Sequence, residues 1–415
     1  MGSAGGGPGA CPPQEASSRA FQGVVVPRAR IALAEEVEYL SILDEQANVD
    51  VALDPRLPPH ELQRLYRTLL LGRRFDERMI MLSRQGRIGN YPPYRGQEAA
   101  SLGPAWVLRR DDWIVPSFRE LIALIHHGWP MHRLILGWWG GHEIGAQPPE
   151  GVNALPLCGP VAGQCLHAAG LAWGSKLAGR DAVAVCFIGD GGTSEGDFHE
   201  AMNVAGVFRL PLIMIVQNNH WAISTPRSRQ TASATFVQKA VGYGVPAVQV
   251  DGNDILAMIV ATRAAVDRAR AGGGATLIEA VTYRLGPHST SDDPKKYRNP
   301  AEVEPWEKRE PLIRFRKYME ARGLLTDATQ ALIEAEIDAQ IVAEIALAEQ
   351  YRPVETEPFD HCFAEMPDHL VRQRAEFEHY LRVRGGGAAP APAAAIPSAP
   401  PRLPVDRFTP TVPVV

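Results

Sequence analysis

The sequence predicts an α/β protein built on a doubly wound parallel sheet flanked by helices. Three observations carry this. Apolar runs of strand length, at 181–189, 210–216, 245–250 and 275–283, alternate with longer segments of helical period. The run Ala182-Val-Ala-Val-Cys-Phe-Ile188 is apolar without alternation, as a strand buried on both faces must be. Two runs end in Gly189-Asp190-Gly191-Gly192 and Gln217-Asn218-Asn219, which places polar groups at strand ends rather than in hairpins. Strands separated by helices are the pattern of parallel sheets.

Taken in order, residues 1–20 are rich in Gly, Pro, Ala and Ser and are expected to be a disordered tail. Residues 21–60 form an N-terminal arm. After Pro58-Pro59-His60 the spacing predicts a helix over 61–84, with Leu65, Leu69, Phe75, Met79 and Leu82 as its buried stripe and Gly86 as its stop. Residues 113–116 read as a short strand leading to Ser117-Phe118-Arg119. A helix is expected over 161–177, where Ala162, Ala168, Ala169, Gly170 and Gly174 permit close packing. Helices at 194–207 and 254–270 link the strands, the second capped by Asn253. The α/β domain spans 61–310. A helical region of ordinary amphipathic spacing follows over 311–384, and 385–415 is an Ala/Pro-rich mobile tail.

The bulk numbers exclude several classes. The chain has 415 residues, 45% of them hydrophobic, so it can bury a sizeable core. A formal net charge of −5 speaks against nucleic-acid binding, which needs a basic patch. No apolar run reaches membrane-spanning length. The amino terminus lacks the apolar core of a signal peptide, and Gly6 breaks the myristoylation pattern that Gly2 opens. The five cysteines, Cys11, Cys158, Cys165, Cys186 and Cys362, fit neither a zinc cluster nor a disulfide framework. Buried reduced thiols in a cytoplasmic protein are the expectation, with Cys186 packing mid-strand.

A lone Gly-Asp-Gly is usually a turn. Here Asp190 emerges from a buried strand, Gly191 and Gly192 let backbone approach a ligand, and the following helix offers its positive amino terminus to an anion. The main rival is a dinucleotide fingerprint. Ser194 replaces its last glycine, and Val216-Gln217-Asn218-Asn219 stands where its acid should be. An aspartate facing a pyrophosphate repels it unless a cation lies between, so the residues favour a metal-bridged diphosphate over NAD. No Walker-type lysine loop exists. Asp190, the Asn219 carboxamide and the Trp221 carbonyl supply three hard oxygens; two diphosphate oxygens and a water complete about six positions around magnesium.

At these residues the chain resembles the α subunit of the E1 component of 2-oxo acid dehydrogenase complexes. The likeness runs over roughly 53–377 and several motifs occur in order. They are Ser83-Arg-Gln-Gly-Arg-Ile-Gly89, Gly96-Gln-Glu-Ala99, Pro149-Glu-Gly-Val-Asn153, the Gly-Asp-Gly and Asn-Asn pair, Asn219-His-Trp-Ala-Ile-Ser-Thr225, and Tyr283-Arg-Leu-Gly-Pro-His-Ser-Thr-Ser-Asp-Asp293 with Tyr297-Arg298 after it. The resemblance implies thiamine diphosphate and Mg2+ as cofactors, the metal on Asp190, Asn219 and Trp221. It implies that Phe118, Arg119, Gly189, Gly191, Gly192 and His288 surround the diphosphate, that Gly159 and Val161 offer backbone to the aminopyrimidine, and that His288 is catalytic, facing substrate and the lipoyl group. Phe118 stands where many relatives have tyrosine, and Gln217 where branched-chain types can have arginine, so Arg119 carries more of the phosphate load. A histidine beside a diphosphate is expected to favour its protonated form. His142 is a weaker candidate, and Ser289 matches a regulatory phosphorylation position in animal relatives.

The resemblance also implies partners: an E1 β subunit in an α2β2 heterotetramer, supplying the glutamate that activates the cofactor, and the lipoyl domain of an E2 acyltransferase. The expected reaction is oxidative decarboxylation of a small 2-oxo acid. The Pro149-Glu-Gly-Val-Asn153 and Phe315-Arg-Lys-Tyr318 segments look pyruvate-type, the His288-Ser-Thr-Ser-Asp-Asp293 segment branched-chain-type; pyruvate is the preferred reading, 2-oxoisovalerate the alternative. A single-chain thiamine enzyme needs a second cofactor domain that the chain is too short to hold. A non-catalytic magnesium–nucleotide module is the remoter alternative.

Overall fold

The computed structural model describes residues 37–139, 143–352, 354–360 and 362–384. The expected tails at 1–20 and 385–415, Cys11 and His142 lie outside the described residues. Among the described residues eight strands occur in chain order: β1 (Tyr39–Leu40), β2 (Trp113–Val115), β3 (Ala184–Gly189), β4 (Leu212–Asn218), β5 (Trp221–Ala222), β6 (Thr225–Pro226), β7 (Ala247–Asp251) and β8 (Thr276–Val281). Six form one all-parallel sheet in the order β1-β7-β8-β4-β3-β2. β5 and β6 make a separate antiparallel hairpin. The central strands are buried on both faces, which is why their sequences show no alternation.

β4 is displaced from its expected span. Leu210 N is taken by Ala205 O of the preceding helix at 3.0 Å, so pairing starts only at Leu212. The ladder with β8 then draws Gln217 and Asn218 into the strand (Asn218 opposite Val281). Likewise β3 starts at Ala184: Arg109 Nη2 holds the Asp181 carboxylate at 2.7 Å, and Asp112 Oδ1 accepts from Val183 N at 2.9 Å.

The first long helix, Pro59–Arg84, buries the predicted stripe of Leu65, Leu69, Phe75, Met79 and Leu82. Gly163–Leu177 begins after Ala162, which is left-handed at φ 71°. Ala168 and Ala169 face the core as expected, but Gly170 and Gly174 face outward with open space at their missing Cβ positions. The helix Ile255–Arg270 is capped by Asp254, not Asn253. Asp254 Oδ1 accepts from Leu256 N and Ala257 N at 2.9 and 3.1 Å, while Oδ2 accepts from Ile42 N and Leu43 N at 2.6 Å each. Asn253 instead accepts from Thr282 Oγ1 at 2.6 Å.

Among the described residues, helices of seven residues or more that escape the periodicity reading are Glu98–Val107, Leu121–His127 and Met131–Trp138. All three are short, and Glu98–Val107 and Leu121–His127 are mostly buried, so those two carry little amphipathic contrast. In the C-terminal region, Pro311–Ala321 and Asp327–Gln350 bury Phe315, Met319, Ile337 and Ile341 in the same core as the first helix. Asp368–Arg384 has no buried residue. A buried ionic triad ties these layers: Arg73 Nε donates to Glu98 Oε1 at 2.7 Å and its Nη2 to Glu310 Oε2 at 2.5 Å. Among the described residues no helix is long and apolar enough to cross a membrane.

Candidate active site

Four neighbouring strands deliver the site. β2, β3, β4 and β8 run parallel, so their carboxyl ends share one edge of the sheet, where open α/β sheets bind ligands. Just beyond those ends stand Ser117-Phe118-Arg119, Asp190, Asn219 and the 282–293 segment. Backbone bonds carry the ladder past the strands. Asp190 N donates to Gln217 O at 3.2 Å, Thr282 N to Asn218 O at 2.9 Å and Arg284 N to Asn219 O at 3.3 Å. Cys158 N donates to Ser117 O at 2.7 Å, which brings the loop with Gly159 and Val161 to the same edge.

The glycines serve packing. A Cβ on Gly191 would stand 2.4 Å from Ala222 Cβ; one on Gly192 would stand 2.6 Å from Ile188 Cγ1 and 3.1 Å from Val161 Cγ1. Their missing side chains let the β5–β6 hairpin and Val161 close on the turn, whereas Gly159 and Gly189 face open space. The element after Asp190 is also not the expected helix. A 3-10 turn, Gly191–Ser194, intervenes, and the α-helix opens at Gly196. Gln217 is buried and donates to Ser101 Oγ at 3.0 Å, a bond between strand and helix.

Asp190 and Asn219 stand one residue beyond the ends of β3 and β4, and Trp221 opens β5 two residues further on. Asp190 is buried, and burial pushes its carboxyl up to about 6, against the hydrogen bonds from Gln230 and the Gly191 amide and the charge of Arg284. Its Oδ2 accepts from Gln230 Nε2 at 3.0 Å. Asn219 Oδ1 accepts from Trp221 N at 3.1 Å, while its Nδ2 donates to Gln97 Oε1 at 2.9 Å. The Trp221 carbonyl accepts from Arg284 Nη1 at 3.2 Å. Each oxygen keeps lone-pair capacity for a hard cation. Among the described residues no cluster of three or more His, Cys, Asp or Glu could hold a metal. One carboxylate and two neutral oxygens suit Mg2+ when phosphate fills other positions.

The site also calls for an anion. Arg119 and Arg284 are buried, and neither forms an ion pair among the described residues. Burial, and then the charge of Arg284, lowers Arg119 to about 10. Buried charges are ordinarily paired, so two guanidiniums held only by neutral groups fit a phosphate ligand.

Arg119 fixes His288. Its Nη2 donates to His288 O at 2.9 Å and lies 3.0 Å from His288 Nδ1, and its Nη1 bonds Pro93 O. A guanidinium only donates, so Nδ1 is the acceptor and the ring proton sits on Nε2. Burial and the charges of Arg119 and Arg284 lower His288 to about 4. Without an anion beside it the ring therefore favours the neutral form, chiefly through burial and then through the two guanidiniums, with Asp292 acting the other way. Phe118 meets the His288 ring edge-on at 6.2 Å and lies under the Arg119 guanidinium at 5.1 Å.

The 288–297 loop is built rather than merely solvated. Asp292 Oδ2 accepts from His288 N at 2.7 Å and from Tyr297 OH at 2.6 Å, and Tyr297 OH accepts from Arg284 Nη2 at 2.8 Å. Thr290 Oγ1 sits 2.6 Å from Ser83 Oγ, and Ser289 is buried. Sequence reasoning gave no role to Gln97, Arg284 or Gln230. The first two lie inside the quoted Gly96-Gln-Glu-Ala99 and Tyr283-Arg segments; nothing in the polar run around Gln230 marks it.

Fold and site together define a doubly wound α/β protein with a hard-oxygen, anion-seeking centre at the carboxyl edge of its sheet. The chain belongs to the Dehydrogenase E1 component family, whose model matches residues 66–357. It is 43% identical over 339 residues to proteins of Staphylococcus epidermidis and Staphylococcus aureus, each named pyruvate dehydrogenase E1 component subunit alpha; the match covers 81% of this chain and 91% of theirs. A protein of the same name from Acholeplasma laidlawii is 43% identical over 336 residues, covering 80% of this chain and 97% of its own.

Proposed function

We propose that this 2-oxo acid dehydrogenase subunit is the α chain of a pyruvate-type E1, which binds thiamine diphosphate through Mg2+, works with a β subunit in an α2β2 assembly and passes the acyl group to an E2 lipoyl domain. The names of its 43%-identical relatives favour pyruvate over a branched-chain acid. The single observation that carries the cofactor reading is the pairing of Asp190 and Asn219 at adjacent strand ends with two buried guanidiniums that lack carboxylate partners. Bound thiamine diphosphate would supply the electron sink that lets a 2-oxo acid lose carbon dioxide. Asp190, Asn219 and the Trp221 carbonyl would hold the metal. Arg119 and Arg284 would offset phosphate charge, and Gly159 and Val161 border the same edge. His288, neutral with its proton on Nε2, can donate a hydrogen bond to a carboxylate or carbonyl oxygen.

The test is reconstitution. The full chain with its β partner should bind thiamine diphosphate only with Mg2+ and turn over pyruvate faster than 3-methyl-2-oxobutanoate. Asp190→Ala should abolish binding. Normal turnover by the chain alone, or unchanged cofactor affinity in Asp190→Ala, refutes the reading.

A further inference from the structure

Two glutamines bond two of the three expected metal ligands, Gln97 to Asn219 and Gln230 to Asp190. Gln97 is fully buried and Gln230 half-buried. Their orientations follow from partners of fixed character. Trp221 N can only donate, so the Asn219 atom facing it at 3.1 Å is Oδ1. Nδ2 is then the atom facing Gln97 at 2.9 Å, and the Gln97 atom there must be oxygen. In the same way Thr225 O can only accept, so the Gln230 atom 3.1 Å from it is Nε2, and that same nitrogen donates to Asp190 Oδ2 at 3.0 Å. Each glutamine is left with one buried amide atom that has no partner among the described residues: Nε2 of Gln97, a donor, and Oε1 of Gln230, an acceptor. Buried polar atoms are normally satisfied. An orphan donor and an orphan acceptor on either side of a hard-oxygen centre match what a hydrated, phosphate-bound cation offers, an anionic oxygen and a water proton.

We infer that Gln97 and Gln230 are positioning residues that set the coordination number of this centre, and with it the preference for Mg2+ over Ca2+. The inference rests on the metal–diphosphate reading above. Gln97 turns the Asn219 carboxamide so that its oxygen, and not its nitrogen, is presented. Gln230 occupies Asp190 Oδ2, which leaves Oδ1 as a single-oxygen ligand. Mg2+ demands near-octahedral geometry with about six ligands, while Ca2+ accepts about 6–8 and readily takes both oxygens of a carboxylate. A carboxylate with one oxygen tied down serves the first ion and handicaps the second. Groups that orient metal ligands are worth about 10–100-fold in metal affinity.

The experiment titrates the full chain, co-purified with its β partner, with Mg2+ and separately with Ca2+ at fixed thiamine diphosphate, reading tryptophan fluorescence and calorimetric heat rather than turnover. Gln230→Met removes the donor at similar volume and should narrow the Mg2+/Ca2+ affinity ratio by about tenfold or more. Gln97→Met should weaken both ions by about 10–100-fold, and Gln97→Glu, which keeps an acceptor for Asn219 Nδ2, should restore Mg2+ binding. Melting curves without metal show whether each variant is folded; should Gln97→Met fail to fold, Gln97→Glu and Gln230→Met decide. Folded Met variants that keep the wild-type Mg2+ affinity and ion ratio, while Asp190→Ala loses cofactor binding, overturn the inference and leave the parent reading standing. Loss of metal dependence in the wild type itself overturns both.

Discussion

Gly191→Ala isolates the hairpin contact. The new methyl carbon would lie 2.4 Å from Ala222 Cβ and 3.5 Å from Ala222 Cα. Unbonded carbons rest at about 3.5–4.0 Å, so the hairpin must yield by more than about 1 Å. The hairpin strand that must move also carries the Trp221 carbonyl. A misplacement of about 1 Å near a reacting centre can cost about 100-fold, and overpacking of this kind about 1–3 kcal/mol of stability. Because Gly191 has no positive φ, the penalty is steric, with no backbone component. Gly196→Ala is the matched control: it lies five residues on, at a helix start, with nothing within 4 Å of its Cβ position. That variant should bind cofactor normally and gain about 0.4–1 kcal/mol from the unfolded chain. Calorimetric titration with thiamine diphosphate and Mg2+, together with melting curves, reads both effects. Equal cofactor affinity in the two variants would refute the reasoning, since it would mean that the hairpin position does not matter to the site.

Three further expectations concern the framework. Asp76 is buried, accepts from Tyr91 OH at 2.8 Å and Tyr94 N at 3.1 Å, and burial lifts its carboxyl to about 7. Its folded value exceeds the ordinary unfolded one, so its contribution is fullest below about pH 4 and is lost as pH rises toward 7, at up to about 1.4 kcal/mol per unit. Asp76→Asn should therefore match wild type below about pH 4 and be progressively more stable toward pH 8; a stability difference that is constant with pH contradicts this. Tyr297→Phe removes the hydroxyl shared by Asp292 and Arg284, and should raise protease sensitivity of the 288–297 loop while the global melt moves little. An unchanged cleavage rate there counts against the loop network. Asp254→Ala strips four backbone donors of their acceptor and should destabilise by about 2 kcal/mol or more; Asn253→Ala, which touches no helix amide, should cost less in the same denaturant titration.

How much of this was legible depended on what each residue answers to. The strands and the first helix answer to burial, and burial writes a period or an unbroken apolar run into the sequence. Hence β3, β4, β8 and Pro59–Arg84 were readable, with errors at their ends, as at Leu210, where a neighbouring helix end took the first backbone donor. Helices such as Glu98–Val107 are buried nearly all round, so no contrast marks them. The cap showed the same limit at finer grain. Asn253 and Asp254 are both good capping residues, and the choice fell to Asp254 because its second oxygen binds Ile42 and Leu43, more than two hundred positions away.

The site divides along the same line. The strand-end placement of Asp190 and Asn219 was legible because each follows an unbroken apolar run. Gln97 and Gln230 were not, because a glutamine's work is defined by the atom opposite it, and those atoms lie 122 and 40 positions away. His288 is the sharpest case. Its sequence neighbours are hydroxyls and acids, which argue for a charged imidazole; burial, and then the charges of Arg119 and Arg284, argue for a neutral one and outweigh Asp292. Electrostatics follows distance in space, so the fold reverses the protonation that local composition suggests. The two guanidiniums that add to the effect of burial on His288 are the ones without carboxylate partners. A diphosphate bound there would offset both charges and lift the histidine's proton affinity again, so ligand binding and the protonation of His288 must be coupled, each favouring the other.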